Sequence, residues 1–320
     1  MQPYVRFVFF CVLAGLSFSS AAQDYPSRPV RVIDPFSPGG ATDVLARVVG
    51  QKLSERLGQP FVVENRAGGG GHIGADLVVK SPPNGYTLLV AGVPHAIGMT
   101  LYRKLPYDMA KDLAPVTQMA TFPSLIVVHP SLPVNSVKEL LALAKARPGE
   151  LNYGANPGSP NHLAMELFNS MGKVKMVLIG YKGAGPVVID LLAGQLHLAS
   201  LGVPTVWPQV QAGKVRVIAV TSTTRSPLLP AVPTVSESGL PGYDVSSWYG
   251  MYSAAGTPGT IITKLNAEIA AALKAPDVTE RLSSLGAQPK PTSPEEFGRI
   301  TRDEIKKWAK VVQESGARVD

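Results

Sequence analysis

The sequence predicts an α/β protein made of two doubly wound units of similar size. Short apolar runs alternate with amphipathic segments of helical period along most of the chain. Turns rich in glycine and proline fall where an apolar run ends and a helical segment begins. Two segments also read as passages from one unit to the other, so the units face each other across a cleft.

Residues 30–35 read as a strand, ended by the turn residues Ser37, Pro38, Gly39 and Gly40. A helix follows, with Leu45, Val48, Val49, Leu53 and Leu57 at helical spacing and Gly58 just past its end. Residues 61–64 form a second strand, the glycine run 68–71 a turn, residues 73–80 a short helix, and 87–91 a third strand. This order predicts a parallel sheet with covering helices. The pattern then repeats. Strands at 125–129, 151–154, 174–179, 196–201 and 215–221 alternate with helices at 137–146, 162–171 and 186–193. The C-terminal part reads as wholly helical, with one helix over 261–273 and a last one whose apolar face is Phe297, Ile300, Ile305, Trp308 and Val312. Residues 115–124 and 248–258 read as the two crossings. The expected organisation is a signal peptide over 1–22, a first lobe of 23–123 with 250–320, and a second lobe of 124–249.

The signal peptide follows from Arg6, the apolar run 7–16, and small residues that place Ser20 and Ala22 at a cleavage site. The run is too short for a bilayer, which takes about 20 residues. Cys11, the single cysteine, lies inside that run, so the exported chain carries no disulfide, thiolate nucleophile or Cys-ligated metal. The 30 basic and 23 acidic residues give a net charge of +7, scattered without a basic block, which argues against nucleic-acid binding. A mild positive field favours anions.

The strongest local signal is the loop containing Phe36, Ser37, Gly39, Gly40, Ala41, Thr42 and Asp43, between the first strand and the first helix. Its glycines let backbone approach a ligand, Thr42 or Asp43 is placed to cap the helix, and a helix N-terminus carries roughly +0.5 of a charge. An anion is the natural guest. The loop lacks both phosphate-binding patterns, G-x-x-x-x-G-K-[ST] and G-x-G-x-x-G, so a carboxylate suits it better. A second loop of this design, with Asn156, Gly158, Ser159, Asn161 and His162, falls in the other unit, and the two together suit the ends of a diacid. A third, with Tyr181, Lys182 and Gly183, adds a wall to the cleft, Lys182 reading as exposed. The glycine run at 68–71 has no Lys-Ser/Thr and reads as a turn; His95 follows a strand and has no obvious partner. No nucleophile elbow, no H-E-x-x-H and no metal-ligand spacing among the histidines is present in the sequence, so neither catalytic residues, nor a metal, nor a cofactor is expected.

These residues resemble the periplasmic substrate-binding proteins of tripartite tricarboxylate transporters, the Bug family. The resemblance runs over nearly the whole chain after residue 22. It includes Tyr25-Pro26, the P-F-S-P-G-G-A-T-D stretch at 35–43, Val63-Glu64-Asn65-Arg66, Asn84-Gly85-Tyr86-Thr87, Leu105-Pro106-Tyr107-Asp108, Gly158-Ser159, Tyr181-Lys182-Gly183, Val232-Pro233-Thr234 and Trp248-Tyr249-Gly250. It implies a type II periplasmic binding fold of two α/β lobes, with a small organic carboxylate gripped by residues 37–43 and 156–162. Tyr181, Gly183 and Leu201 would shape a distal pocket. It also implies a periplasmic monomer that delivers its ligand to membrane transporter subunits. A carboxylate sensor and a secreted enzyme acting on an acid are the alternatives. Asn84, Ile179-Gly180, Asn156-Pro157 and Pro160-Asn161 depart from the family's usual residues, so the choice of carboxylate does not carry over.

Overall fold

The computed structural model describes residues 25–316. The expected signal peptide, with Cys11, lies outside the described residues. Val30, Val32 and Ile33 are fully buried, which makes β1 (Val30–Asp34) a central strand covered on both faces. In chain order there follow α1 (Ala41–Leu57), β2 (Phe61–Asn65), a 3₁₀ turn at Gly69–Gly71, α2 (His72–Val79), β3 (Thr87–Gly92), α3 (Val93–Leu101) and the single turn α4 (Met109–Asp112). β4 (Leu113–Val128) leads on to α5 (Val137–Ala146), β5 (Asn152–Ala155), α6 (Pro160–Gly172), β6 (Val177–Gly180), α7 (Ala184–Leu192), β7 (Leu198–Gly202), α8 (Val203–Gln211) and β8 (Arg216–Val220). The chain ends with β9 (Ser246–Ala254), α9 (Gly259–Leu273), α10 (Pro276–Ser283), β10 (Gln288–Pro289) and α11 (Pro294–Ser315).

The strands run in the order β2-β1-β3-β9-β4-β7-β5-β6, with β8 and β10 also paired to β4. β1 is parallel to β2 and β3, and β5 is parallel to β6 and β7, as helical crossovers require. The expected parallel pairing is present in both sets, and antiparallel strands that the sequence reading did not anticipate join them. β9 runs antiparallel to both β3 and β4, and β4 runs antiparallel to β7 and β8. The physical reason is the traffic between lobes: β4 carries the chain out of the first sheet and β9 returns it beside β4, in the opposite direction. Residues 248–254, expected as a crossing, are the body of β9. β4 pairs with β9 up to Pro123 and with β7 from Ser124, so one continuous strand serves both sheets.

Helix α11 ties the layers together. Its buried Phe297, Trp308, Val311 and Val312 join Trp248 and Tyr252 of β9 and Phe168 of α6 in one core cluster. Glu304 accepts hydrogen bonds from the indole N–H groups of Trp248 and Trp308, at 3.1 and 2.9 Å. Ser170 on α6 donates to Glu314 at 3.0 Å. The C-terminal part is therefore not wholly helical in its contacts or content, since β10 pairs with β4 at Thr121 and Ala120. Gly250 on β9 is obligatory for this packing, because a Cβ there would lie 2.1 Å from the Phe297 ring and 2.6 Å from the Thr117 carbonyl oxygen. Gly250→Ala is expected to cost at least about 1–3 kcal/mol by overpacking and to lower Tm by several degrees; calorimetry on the two proteins reads this, and an unchanged Tm would contradict it.

Candidate ligand-binding site

Each parallel crossover ends a strand and starts a helix at the same edge of its sheet, so the helix N-termini gather on one side. Gly40, Gly183 and Gly202 are the N-caps of α1, α7 and α8, and none offers a side-chain acceptor to the first-turn N–H groups. By contrast, Ser136 and Ser293 cap α5 and α11 through their side chains. α6 stands between these cases: Ser159 caps it, accepting from the His162 N–H at 3.3 Å.

The N-terminal residues of α1, α6 and α8 border one cleft of about 560 Å³, and Pro94 at the start of α3 adds to its rim. Phe36, Gly39, Gly40, Ala41 and Thr42 come from the first loop, Pro160 and Asn161 from α6, and Gly202 to Thr205 from the β7–α8 junction. The floor is formed by Phe122, Pro123 and Ser124 of β4 with Ser247 and Tyr249 of β9, and Leu285 closes one side. Among the described residues, no Asp, Glu, Lys, Arg or His lines this cleft. Its polarity comes from hydroxyls, the Asn161 amide and backbone. A smaller pocket of about 170 Å³ adjoins it and shares Asn161. Asn156, Ser159, Gly183, Ser200 and Leu201 are among its walls.

The first loop is shaped from below by charged groups that stay out of the cleft. Asn65 donates from Nδ2 to Asp34 at 3.0 Å, to the Phe36 carbonyl at 3.1 Å and to Asp43 at 2.9 Å. Asp43 accepts from the Gly39 N–H at 3.0 Å and pairs with Arg47 at 2.9 Å. Arg47 beside it holds the Asp43 carboxyl down at about 2. Asp34 is fully buried, and that burial raises its carboxyl from 3.8 to about 6 against the opposing bonds from Phe36 and Thr42. Gly39 sits at φ 85°, a conformation that favours glycine and directs its N–H down to Asp43.

Of the residues singled out from sequence, Phe36, Gly39, Gly40, Ala41, Thr42 and Asn161 line the cleft. Asn156, Ser159, Gly183 and Leu201 line the adjoining pocket, again with Asn161. The structure places the others elsewhere. Ser37 is exposed on the loop and Asp43 is buried in the network beneath it. His162 is buried, accepts from the Gly158 N–H at 3.0 Å and stacks on Tyr153, so it and Gly158 brace the second loop. Burial lowers the pKa of His162. Tyr181 donates to Asp190 at 2.6 Å and packs beside Gly154. Thr42 and Asp43 do not cap α1, whose N-cap is Gly40.

His95 has partners the sequence did not disclose. It is wholly buried, approaches the Gly71 carbonyl at 3.3 Å and meets the Phe36 ring edge to face. His72 lies beside it and shares a 2.6 Å hydrogen bond with the Tyr107 hydroxyl. Burial pushes the two imidazoles down, to about 3 and about 4. The glycine run thus wraps a neutral histidine pair behind the first loop. The Gly202-Val203-Pro204-Thr205 junction was missed too, although a proline in the first turn after an apolar run is the same signal that marked the other loops.

Two α/β lobes joined by paired crossing strands, with helix starts converging on the cleft between them, define a type II periplasmic binding fold. Comparison with known proteins gives the family. Residues 45–317 match the family model of the tripartite tricarboxylate transporter family receptor. The chain is 41% identical over 313 residues to protein BugT of Bordetella pertussis, spanning 97% of this chain and 96% of that one. The solved structure of Rpa4515 from R. palustris with adipate aligns at a TM-score of 0.78 and 41% identity, covering 92% of this chain and 100% of the other. MatC (Rpa3494) from Rhodopseudomonas palustris with bound malate aligns at 0.74 and 33% identity, covering 90% and 100%. This chain belongs to the tripartite tricarboxylate transporter receptor family, a family of solute-binding receptors and not of enzymes.

The loop network generates a pH signature. The folded pKa of Asp34 lies above its unfolded value of 3.8, so its contribution to stability is full below 3.8 and is lost as pH rises through about 6. Asp43 acts oppositely, contributing above 3.8 and losing that contribution as pH falls towards 2. Replacing Asp34→Asn removes the first titration. The difference in Tm between variant and wild type is expected to move in the variant's favour between about pH 4 and 6 and to stay constant above about pH 7; parallel curves throughout would contradict the assignment.

Proposed function

We propose that this chain captures a small organic carboxylate in the cleft between its lobes and delivers it to a tripartite tricarboxylate-type membrane transporter. The observation that carries this reading is the convergence of helix N-termini, glycine-capped at α1 and α8, on a cleft whose lining holds no charged side chain. Such a site supplies donors and positive dipole ends without a competing anionic side chain, which favours an anion. The adipate and malate bound by the two R. palustris relatives are carboxylates and support the same ligand class. Hydroxyls and one amide are the only polar side-chain groups of the lining, so no group there takes or gives a proton at neutral pH, and the chemistry it supports is capture without turnover.

The protein acts in this reading as a periplasmic monomer, exported by residues 1–22. No helix among the described residues is long and apolar enough to cross a membrane. The lobes comprise residues 23–123 with 250–320 and residues 124–249. The change of β4 partners between Pro123 and Ser124 supports the first of these boundaries. Closure about β4 and β9 would bring the α1 loop towards α6 and α8 and exclude water, strengthening each hydrogen bond to the carboxylate.

The test is calorimetric titration with adipate, malate and a range of mono-, di- and tricarboxylates, beside adipamide as the uncharged analogue. At least one acid is expected to bind and the diamide not to. Asn161→Ala should weaken binding of that acid by about 0.5–3 kcal/mol. Absence of binding by every acid, or conversion of one into a product, would overturn the proposal.

A further inference from the structure

The two loops that border the cleft are held from below by the same bond at the same spacing. The Gly39 N–H donates to Asp43, four residues on, at 3.0 Å. The Gly158 N–H donates to Nδ1 of His162, also four residues on and also at 3.0 Å. Both glycines sit at positive φ, 85° and 79°, which turns each N–H towards its brace. The two acceptors differ in kind. Arg47 holds the Asp43 carboxyl at about 2, so it stays ionised through ordinary acidification. An imidazole nitrogen accepts only while it carries no proton. Because Nδ1 of His162 accepts, the ring hydrogen is on Nε2, which faces Oε1 of Glu166 at 3.8 Å. A proton added at Nδ1 sets two donors against each other, and the Gly158 N–H loses its acceptor.

We propose that His162 is the positioning residue of the second loop: its neutral form holds the loop in ligand-binding register, and its protonation frees the loop and weakens carboxylate capture. The inference rests on the carboxylate-capture reading and adds how that same site is regulated. Ser159 and Asn161 lie inside the turn that the Gly158–His162 bond closes. Both line the adjoining pocket, and Asn161 lines the cleft as well. The surroundings leave the ring to one carboxylate. Tyr153 of β5 stacks on it and donates to Glu166 of α6, the charge that acts on the ring. Lys173 and Lys175 share a surface cavity with Glu166. His95, the titratable residue of α3, is turned to the Gly71 carbonyl and the Phe36 ring, and β7 carries no titratable residue. Tyr243 donates to the Ala164 carbonyl. On α11, Glu304 is taken by two indoles and Lys307, and Glu314 by Ser170 and Lys310. Burial lowers the His162 pKa against the pull of Glu166, which leaves the loop held at neutral pH and freed on acidification. The first loop, braced by Asp43, has no such release.

The test measures affinity by calorimetric titration between about pH 7.5 and 5 for wild type, His162→Asn and His162→Leu, with malate, succinate, glutarate and adipate as probes. An Asn side chain places Oδ1 where Nδ1 stood and accepts without titrating, as Asp43 does for Gly39; Leu offers no acceptor. For the acid that wild type binds most tightly, the Kd of wild type relative to His162→Asn is expected to rise about threefold to tenfold as pH falls to 5. Protonation of the acid and of Asp34 is common to all three proteins and cancels in that ratio. His162→Leu should bind about threefold to tenfold more weakly than wild type at pH 7.5. By linkage, saturating wild type with the acid should lower the pH midpoint of the His162 ring, read by nitrogen NMR, by about 0.5–1. Direct attraction between the ring and a bound anion would raise it instead. Thermal melts check that the variants are folded, and the ring titration, which uses wild type alone, decides the question where one is not. A constant ratio, a midpoint that stays or rises, or a folded His162→Leu protein with wild-type affinity overturns the positioning role and leaves carboxylate capture standing. A wild type that binds no acid in the panel overturns both.

Discussion

The first backbone N–H groups of a helix have no partner within the helix and must find an acceptor elsewhere. In this protein α1, α7 and α8 start at Gly40, Gly183 and Gly202, residues with no side chain to supply that acceptor. The sheets bring these starts to the cleft and its adjoining pocket, and the crossing strands β4 and β9 form the cleft floor. The open valences of the fold and the binding capacity of the site are the same groups. In the proposed reading a ligand oxygen supplies the missing acceptor, without the heavy desolvation cost of burying an Arg or Lys.

Charge is placed one layer below. Asp34, Asp43, Arg47 and Asn65 form a polar network under the first loop, its two carboxylates buried and Arg47 exposed, and Asn65 separates the carboxylates by donating to both. The network fixes Gly39 through Asp43 and keeps acidic oxygens out of the cleft, where they would repel an anion. Behind the loop, His72 and His95 pack as neutral rings against Phe36 and the glycine run. At the back, α11 reaches α6 through the Glu314 and Ser170 contact.

The alternation of strands and helices was legible because burial on both faces produces short continuous apolar runs, as in β1 and β3. The first and second loops were legible because turns that put backbone near a ligand need glycine and proline. β4 was read only in its second part. Pro115 and Pro123 interrupt its pattern, and the register against β9 shifts twice, between Pro115 and Thr117 and between Gln118 and Ala120. α8 was hidden by Pro204 and Pro208, the first of which is tolerated in an opening turn. α3 was hidden by Pro94 and by Gly98, where a Cβ would meet the His72 ring at 2.0 Å. Local composition also does not reveal which loop residues face inward. Asp43 and His162 stand in the right loops, yet Arg47 and Tyr153, some residues away in sequence, draw them into the scaffold.

In the proposed reading, backbone and neutral side chains hold the carboxylate. The most direct test of this reading is the pH dependence of ligand affinity. Asp34 titrates at about 6, and Tyr249, which lines the cleft, is raised by burial to about 12. Between pH 7 and 9 neither the site nor a carboxylate changes charge. Calorimetric titration across that range, at constant ionic strength, should give a Kd constant within about twofold and no proton uptake or release. A Kd that changes by about tenfold per pH unit, with a proton exchanged in differently ionising buffers, would show a titrating side chain in contact with the ligand and contradict the account.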